Sequence, residues 1–155
     1  MSMIAVPVTS TGITSTGFGI PVANQLNQQD DYIEFTPVAN QSTPASGTAD
    51  WFTFGTITVP TWATKLRILV AIDNLFSGGA TGIATCVIKV GTATSGTRNV
   101  QGIAAVGGHS WCAAAVITGI STGAQTLKLT ATFGSGAVIS IGTASTASAV
   151  IEYLG

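Results

Sequence analysis

The chain offers few residues with which to do chemistry, and their spacing decides what they could be. His109 is the single histidine and stands beside Ser110 in "VGGHSW". A base and a hydroxyl adjacent on a strand point to opposite faces, so this pair does not make the geometry of a nucleophilic triad. His109 is read as a loop histidine at a strand entry. Asp30, Asp31 and Glu34 form the one acidic cluster, but no loop-spaced oxygen-ligand pattern with a tight glycine turn accompanies it. The cluster reads as solvated or helix-capping, with a polar contact to a partner subunit or weak calcium binding as the alternatives. Cys86 and Cys112 lie in separate apolar runs, without CxxC spacing or further histidines, so no zinc site is expected. They read as two buried thiols packing as small hydrophobes, with a disulfide or a reactive thiol as the alternative. "GFG" at 17–19 lacks the strand and helix that flank a phosphate loop. No catalytic residue, cofactor or metal ligand is therefore assigned.

The elements that would have to position such groups are strands. Ala, Gly, Ser and Thr dominate the 155 residues, whereas Leu, Glu, Lys and Arg are scarce. That is poor material for helices and good material for pleated surfaces. Leu66, Ile68, Val70 and Ile72 alternate with Lys65 and Arg67; Leu127, Leu129, Ala131 and Phe133 alternate with Lys128, Thr130 and Thr132. In 52–59, Phe52 and Phe54 share one parity and Ile57 and Val59 the other. The phase slip at Gly55 predicts a bulge there, and Pro60 ends the strand. Further strands are expected at 83–90, 98–105, 111–118, 137–141 and 148–154, separated by Gly- and Ser-rich turns. The expectation is an all-β fold: an eight-stranded antiparallel jelly-roll-like sandwich over 51–155, preceded by an extended N-terminal arm over 1–50. The arm's short apolar words suggest that it lies against its own body or a neighbouring subunit. Ile4, Val6, Phe18, Ile20, Tyr32 and Phe35 are its expected apolar anchors. Trp51, Trp62 and Trp111 read as core or interface packing, with sugar stacking as the alternative; Trp51 and Trp62 bracket the strand 52–59 and so should sit at opposite ends of the sheet.

Charge narrows the function. Five basic and six acidic side chains make up 7% of the chain and leave a net charge of −1. The isolated Lys65, Arg67, Lys89, Arg98 and Lys128 form no basic stripe, so nucleic acid is set aside. Mean hydropathy is +0.52, yet no run of about 18 apolar residues is present to cross a bilayer as a helix. No membrane partner is expected. "MSMIAVPVTS" shows neither a basic leader nor a long apolar core, so no secretory signal is visible and the product is expected to stay where it is made until released. A body coated with threonine rather than ions loses little when desolvated against another copy of itself, which predicts self-association.

The run "FTFGTITVPTWATKLRILVAI", the "TVPxWAT" turn and the ending "LTATFGSGAVISIGTASTASAVIEYLG" resemble the small β-sandwich structural proteins of tailed bacteriophages. These include capsid decoration (cement) proteins and minor tail or fibre-tip domains. The resemblance covers residues 51–155. It implies a jelly-roll-like body, usually a homotrimer, whose N-terminal segment contacts the shell. The partners would be the chain itself and a major capsid protein. The location would be the capsid exterior of a virion, after synthesis in the host cytoplasm. On that reading the chain is a non-enzymatic decorating protein. The alternatives are a fibre-tip protein binding a host-surface glycan through loops 76–82 and 106–111, and a carbohydrate-binding β module.

Overall fold

The computed structural model describes residues 29–77, 80–102 and 108–155, with eleven strands among them. They are β1 (Gln29–Phe35), β2 (Gln41–Ser42), β3 (Thr48–Val59), β4 (Lys65–Ser77), β5 (Gly82–Val90), β6 (Ala93–Thr94), β7 (Arg98–Gly102), β8 (His109–Thr118), β9 (Gly123–Gly136), β10 (Ile139–Ile141) and β11 (Ala147–Leu154). All pairings are antiparallel. One sheet runs β1-β11-β4-β8, with β10 and β2 continuing beside the far end of β4. The other runs β3-β9-β5-β7, with β6 beside the end of β5. Setting aside the three short strands β2, β6 and β10, the first sheet takes the first, eighth, third and sixth long strands. The second takes the second, seventh, fourth and fifth. That order is two nested Greek keys, the jelly-roll topology.

All eight expected strands are present, within a few residues at their ends; of 98–105, the structure describes residues up to Gly102 as strand. The segment expected at 137–141 is the short β10. The eighth long strand is instead β1, drawn from residues grouped with the arm. β1 pairs along its whole length with β11, from Gln29 opposite Tyr153 to Phe35 opposite Ala147. Residues 29–50 thus supply β1, β2 and the start of β3, and residues 1–28 lie outside the described set. The acidic cluster stands in β1 rather than at a helix end.

Alternation builds the core. Leu66, Ile68, Val70 and Ile72 from β4 meet Ile88, Leu127 and Leu129 from the opposite sheet, all buried. In β3 the pairing with β9 shifts between Asp50 and Phe52 and again between Thr53 and Gly55. These two irregularities let Trp51, Phe52, Phe54, Ile57 and Val59 all turn inward. Gly55 sits at φ 149°, a value that favours glycine. Phe35 of β1 stacks on Phe52 with centroids 5.2 Å apart, which closes that side of the sandwich.

Several buried polar groups find partners, whereas Nδ1 of His109 is buried without one. Tyr153 is buried, and its hydroxyl donates to Asp31 Oδ2 at 2.5 Å. Ser145 Oγ accepts from the Gly142 amide and donates to the Asn74 carbonyl, 2.9 and 3.0 Å. Asn74 itself adopts φ 52°, at the irregularity where β4 shifts its pairing with β8. Asparagine tolerates that left-handed conformation better than branched residues do.

A candidate interaction face

The face that stands out is the outer side of the β1-β11-β4-β8 sheet. Strand alternation sends Tyr32, Val150, Leu69 and Ala114 outward, and the pairing aligns them: Tyr32 opposite Val150, Val150 opposite Leu69, Leu69 opposite Ala114. They form one row crossing four strands, with Val116 one step along from Ala114. Relative exposures are 62% for Tyr32, 47% for Leu69, 41% for Val150 and 56% for Val116. Single exposed apolar residues are ordinary, but a contiguous row of them marks an interaction surface.

Beside the ridge lies a hollow. Ala71, Ser148 and Cys112 occupy the next outward row, and their small side chains floor a cleft of about 260 Å³. Tyr32, Asp73, Ser110, Trp111 and Thr146 line its sides. Charges sit at the ends of the face. Arg67 pairs with Glu152 across β4 and β11 at 2.7 Å, with Lys65 beyond. At the other end Asp73 Oδ1 accepts from the Thr146 amide. The Tyr32 hydroxyl donates to Glu34 Oε2 at 2.8 Å, and that bond to a carboxylate raises the phenol above its usual range.

The expected anchors divide. Ile4, Val6, Phe18 and Ile20 lie outside the described residues. Tyr32 belongs to the exposed row. Phe35 is half-buried and packs against the core. Leu69, Val116 and Val150 were not singled out from the sequence. A signal existed for Leu69, because it shares the parity of Lys65 and Arg67 in a strand whose other parity is wholly apolar.

The candidate chemical groups fall elsewhere. Cys86 is buried, and burial pushes its thiol up to about 12. Cys112 is exposed, contrary to the expectation of two buried thiols, because β8 turns Ala113, Ala115 and Ile117 inward. Neither is in a disulfide. No group of three His, Cys, Asp or Glu able to hold a metal occurs among the described residues. Trp51 is buried, its indole N–H donating to the Gln41 carbonyl at 3.1 Å, and Trp62 packs against the core.

His109, Trp111 and Arg98 act as stitches. His109 Nε2 donates to the Gln101 carbonyl, Trp111 Nε1 to the Asn99 carbonyl at 2.8 Å, and Arg98 twice to the Ala114 carbonyl at 3.2 and 2.9 Å. These bonds join the edge strands β7 and β8 and occupy carbonyls that would otherwise template another strand.

No family model and no curated relative match the sequence. Solved structures similar to it include two from infectious bursal disease virus. The structure of the Gx strain is 17% identical with a TM-score of 0.49, covering 82% of this chain and 34% of that one. The crystal structure of the VP2 subviral particle is 14% identical with a TM-score of 0.41, covering 83% and 37%. The chain spans about a third of the length of these proteins.

Proposed function

We propose that the protein is a non-enzymatic structural component of a virion, decorating and stabilising a phage capsid as a symmetric oligomer, with a trimer expected from the tailed-phage resemblance. The observation that carries this reading is the exposed apolar row on a body with so few ions. A face carrying Tyr32, Val150, Leu69 and Val116 gains free energy when covered, at about 25 cal/mol per Å² of apolar area removed from water. The jelly-roll body is compatible with the role, although a fold alone does not assign one. Residues 1–28 contain no Asp, Glu, Lys or Arg, so they could be laid on a major capsid protein without stripping ions of water. Ile4, Val6, Phe18 and Ile20 would be their anchors. Each bound copy stabilises the shell by mass action, without turnover.

The test is co-sedimentation with purified capsids that lack the protein. The full chain is expected to bind saturably and to raise the temperature at which the capsids rupture. A chain lacking residues 1–28 keeps every described strand and is expected to lose binding. If the full chain fails to sediment with capsids, or the truncated chain saturates them equally, the assignment fails. Binding of the isolated protein to a glycan array would favour the fibre-tip reading, for which the cleft beside Tyr32 and Trp111 is the candidate pocket.

A further inference from the structure

We propose that two copies of this chain pair face to face through the outer side of the β1-β11-β4-β8 sheet, about a two-fold axis that crosses the strands between the Leu69 row and the Ala71 row. This rests on the reading that copies of the chain cover one another, and it names the surface.

Shape is the first argument. A two-fold axis in that position lays each row over the row equally far on its other side. The Leu69 and Val150 ridge of one copy then descends onto the partner's Ala71 and Ser148, the floor of the cleft. Ala114 meets the partner's Cys112, and Val116 meets the partner's Ser110. A ridge of large residues beside a hollow of small ones is complementary to its own rotated image, as an isologous contact requires.

Charge is the second argument. The same axis sets Arg67 opposite the partner's Asp73, and Asp73 opposite the partner's Arg67. Two unlike pairs close the rim of the apolar centre. Glu34 comes over the partner's Tyr32, and Tyr32 over the partner's Glu34. Moving the axis onto the Leu69 row itself would lay the ridge on its own image and remove it from the hollow.

Size is the third. Four strands about 4.8 Å apart and eight residues at about 3.3 Å give a face of roughly 500 Å² in projection on each copy. Two such faces together reach the roughly 1,000 Å² at which specific contacts begin. Three-fold association, where it occurs, would use other surfaces and leave this one to join neighbouring oligomers.

The structure supplies its own probe. Cys112 is exposed on this face while Cys86 is buried with its thiol pushed up to about 12, so a maleimide at neutral pH reads Cys112 alone. In the proposed pair the two Cys112 Cα atoms lie about 12 Å apart, given sheets about 10 Å apart and a two-residue offset along the strands. The full chain at micromolar concentration is treated with a bismaleimide of about 8–11 Å spacer, a length set by that geometry. A covalent dimer is expected as the main product, with a native mass that is an even multiple of the 15.5 kDa chain. Cys112→Ser should abolish the product. Leu69→Lys should reduce it at least tenfold while circular dichroism and the unfolding midpoint stay close to those of the parent. Val116→Lys provides a second disruption at a more exposed position, should Leu69→Lys disturb folding. A bare trimer without cross-linked dimer, a monomer at all concentrations, or unchanged cross-linking in both lysine variants overturns the pairing. Capsid sedimentation is read separately: if it succeeds where cross-linking fails, only the pairing surface is lost; if it fails where cross-linking succeeds, only the capsid role is.

Discussion

Leu69 and Thr130 both lie near the middle of a central strand, β4 and β9, on the parity turned away from the core, but Leu69 is exposed and Thr130 is covered by its neighbours. Around Thr130 the outer face satisfies itself. Thr130 donates to Asp50 Oδ1 at 2.7 Å, Lys128 pairs with Asp50 Oδ2 at 2.6 Å, and Thr48 shares a 2.8 Å hydrogen bond with Thr132. Around Leu69 the neighbours in its own row are Val150, Ala114 and, one strand further, Tyr32. The two sheets therefore share one kind of inner face and differ in the outer one. Low charge does not make the whole surface adhesive. Threonine hydroxyls and one ion pair cover much of the β3-β9-β5-β7 side, where Ile83 is the exposed large apolar residue, and the longer apolar row lies on the other.

If the inner faces are truly alike, a cavity should cost the same on either side. Ile68→Ala in β4 and Ile88→Ala in β5 are each expected to lower unfolding free energy by about 2–5 kcal/mol, measured by urea denaturation. Both side chains are fully buried. A loss confined to one of them would mean that the sheets do not share a core.

Alkali should act from the inside. Cys86 has its folded-state pKa raised from 9.0 to about 12 by burial, so the stability tied to its neutral thiol is complete below about pH 9 and falls as pH rises toward 12. Burial and the bond to Asp31 raise the Tyr153 phenol as well, which adds loss above its ordinary value of 10. Cys86→Ala should flatten the first part of the decline in a pH series of unfolding midpoints and leave the Tyr153 part. An unchanged slope would show that the thiol is hydrated in the folded protein.

Acid should act from the outside, weakly. The bond from Lys128, aided by that from Thr130, holds Asp50 below the usual carboxylate range. A depressed folded-state pKa gives stability that is present above the unfolded value near 4 and is lost as pH falls through the folded one. Because the Asp50 side chain is about half exposed, Asp50→Asn should cost only about 0.2–1 kcal/mol at neutral pH and remove that acid dependence. A larger cost would mean that the threonine-rich face is less wet than its exposure suggests.

The smallest effect on stability divides the faces most sharply. Leu69→Lys and Thr126→Lys both replace exposed strand residues and should each shift unfolding by no more than about 0.5 kcal/mol. Only the first should change the sedimentation profile of the protein. If Thr126→Lys disperses an oligomer and Leu69→Lys does not, the comparison is reversed.

Much of the architecture was legible because alternation is a local signal. β4 and β9 read clearly from the parity of Leu66 to Ile72 and of Leu127 to Phe133. The slip at Gly55 was equally visible, since a bulge leaves two inward residues on opposite parities. β1 was harder. "YIEFT" alternates over only five residues and lies among Gln, Asn and Pro, and its first half, with Gln29, Asp30 and Asp31, looks like solvent-exposed chain. What holds it in the sheet is seven residues of pairing to β11, which begins more than a hundred residues later. Cys112 was misplaced for a related reason. In "WCAAAVIT" both parities are apolar, so nothing local says which side meets the core.

By itself the amino-acid sequence determined that residues 51–155 would be built mainly of strands and turns and that the chain is ion-poor. Those properties follow from side-chain type and period two, which each segment carries alone. Only the tertiary structure decided which strand completes the double Greek key and which outward residues become neighbours. The row from Tyr32 to Ala114 draws on four strands distant in the chain, and antiparallel register alone brings them side by side.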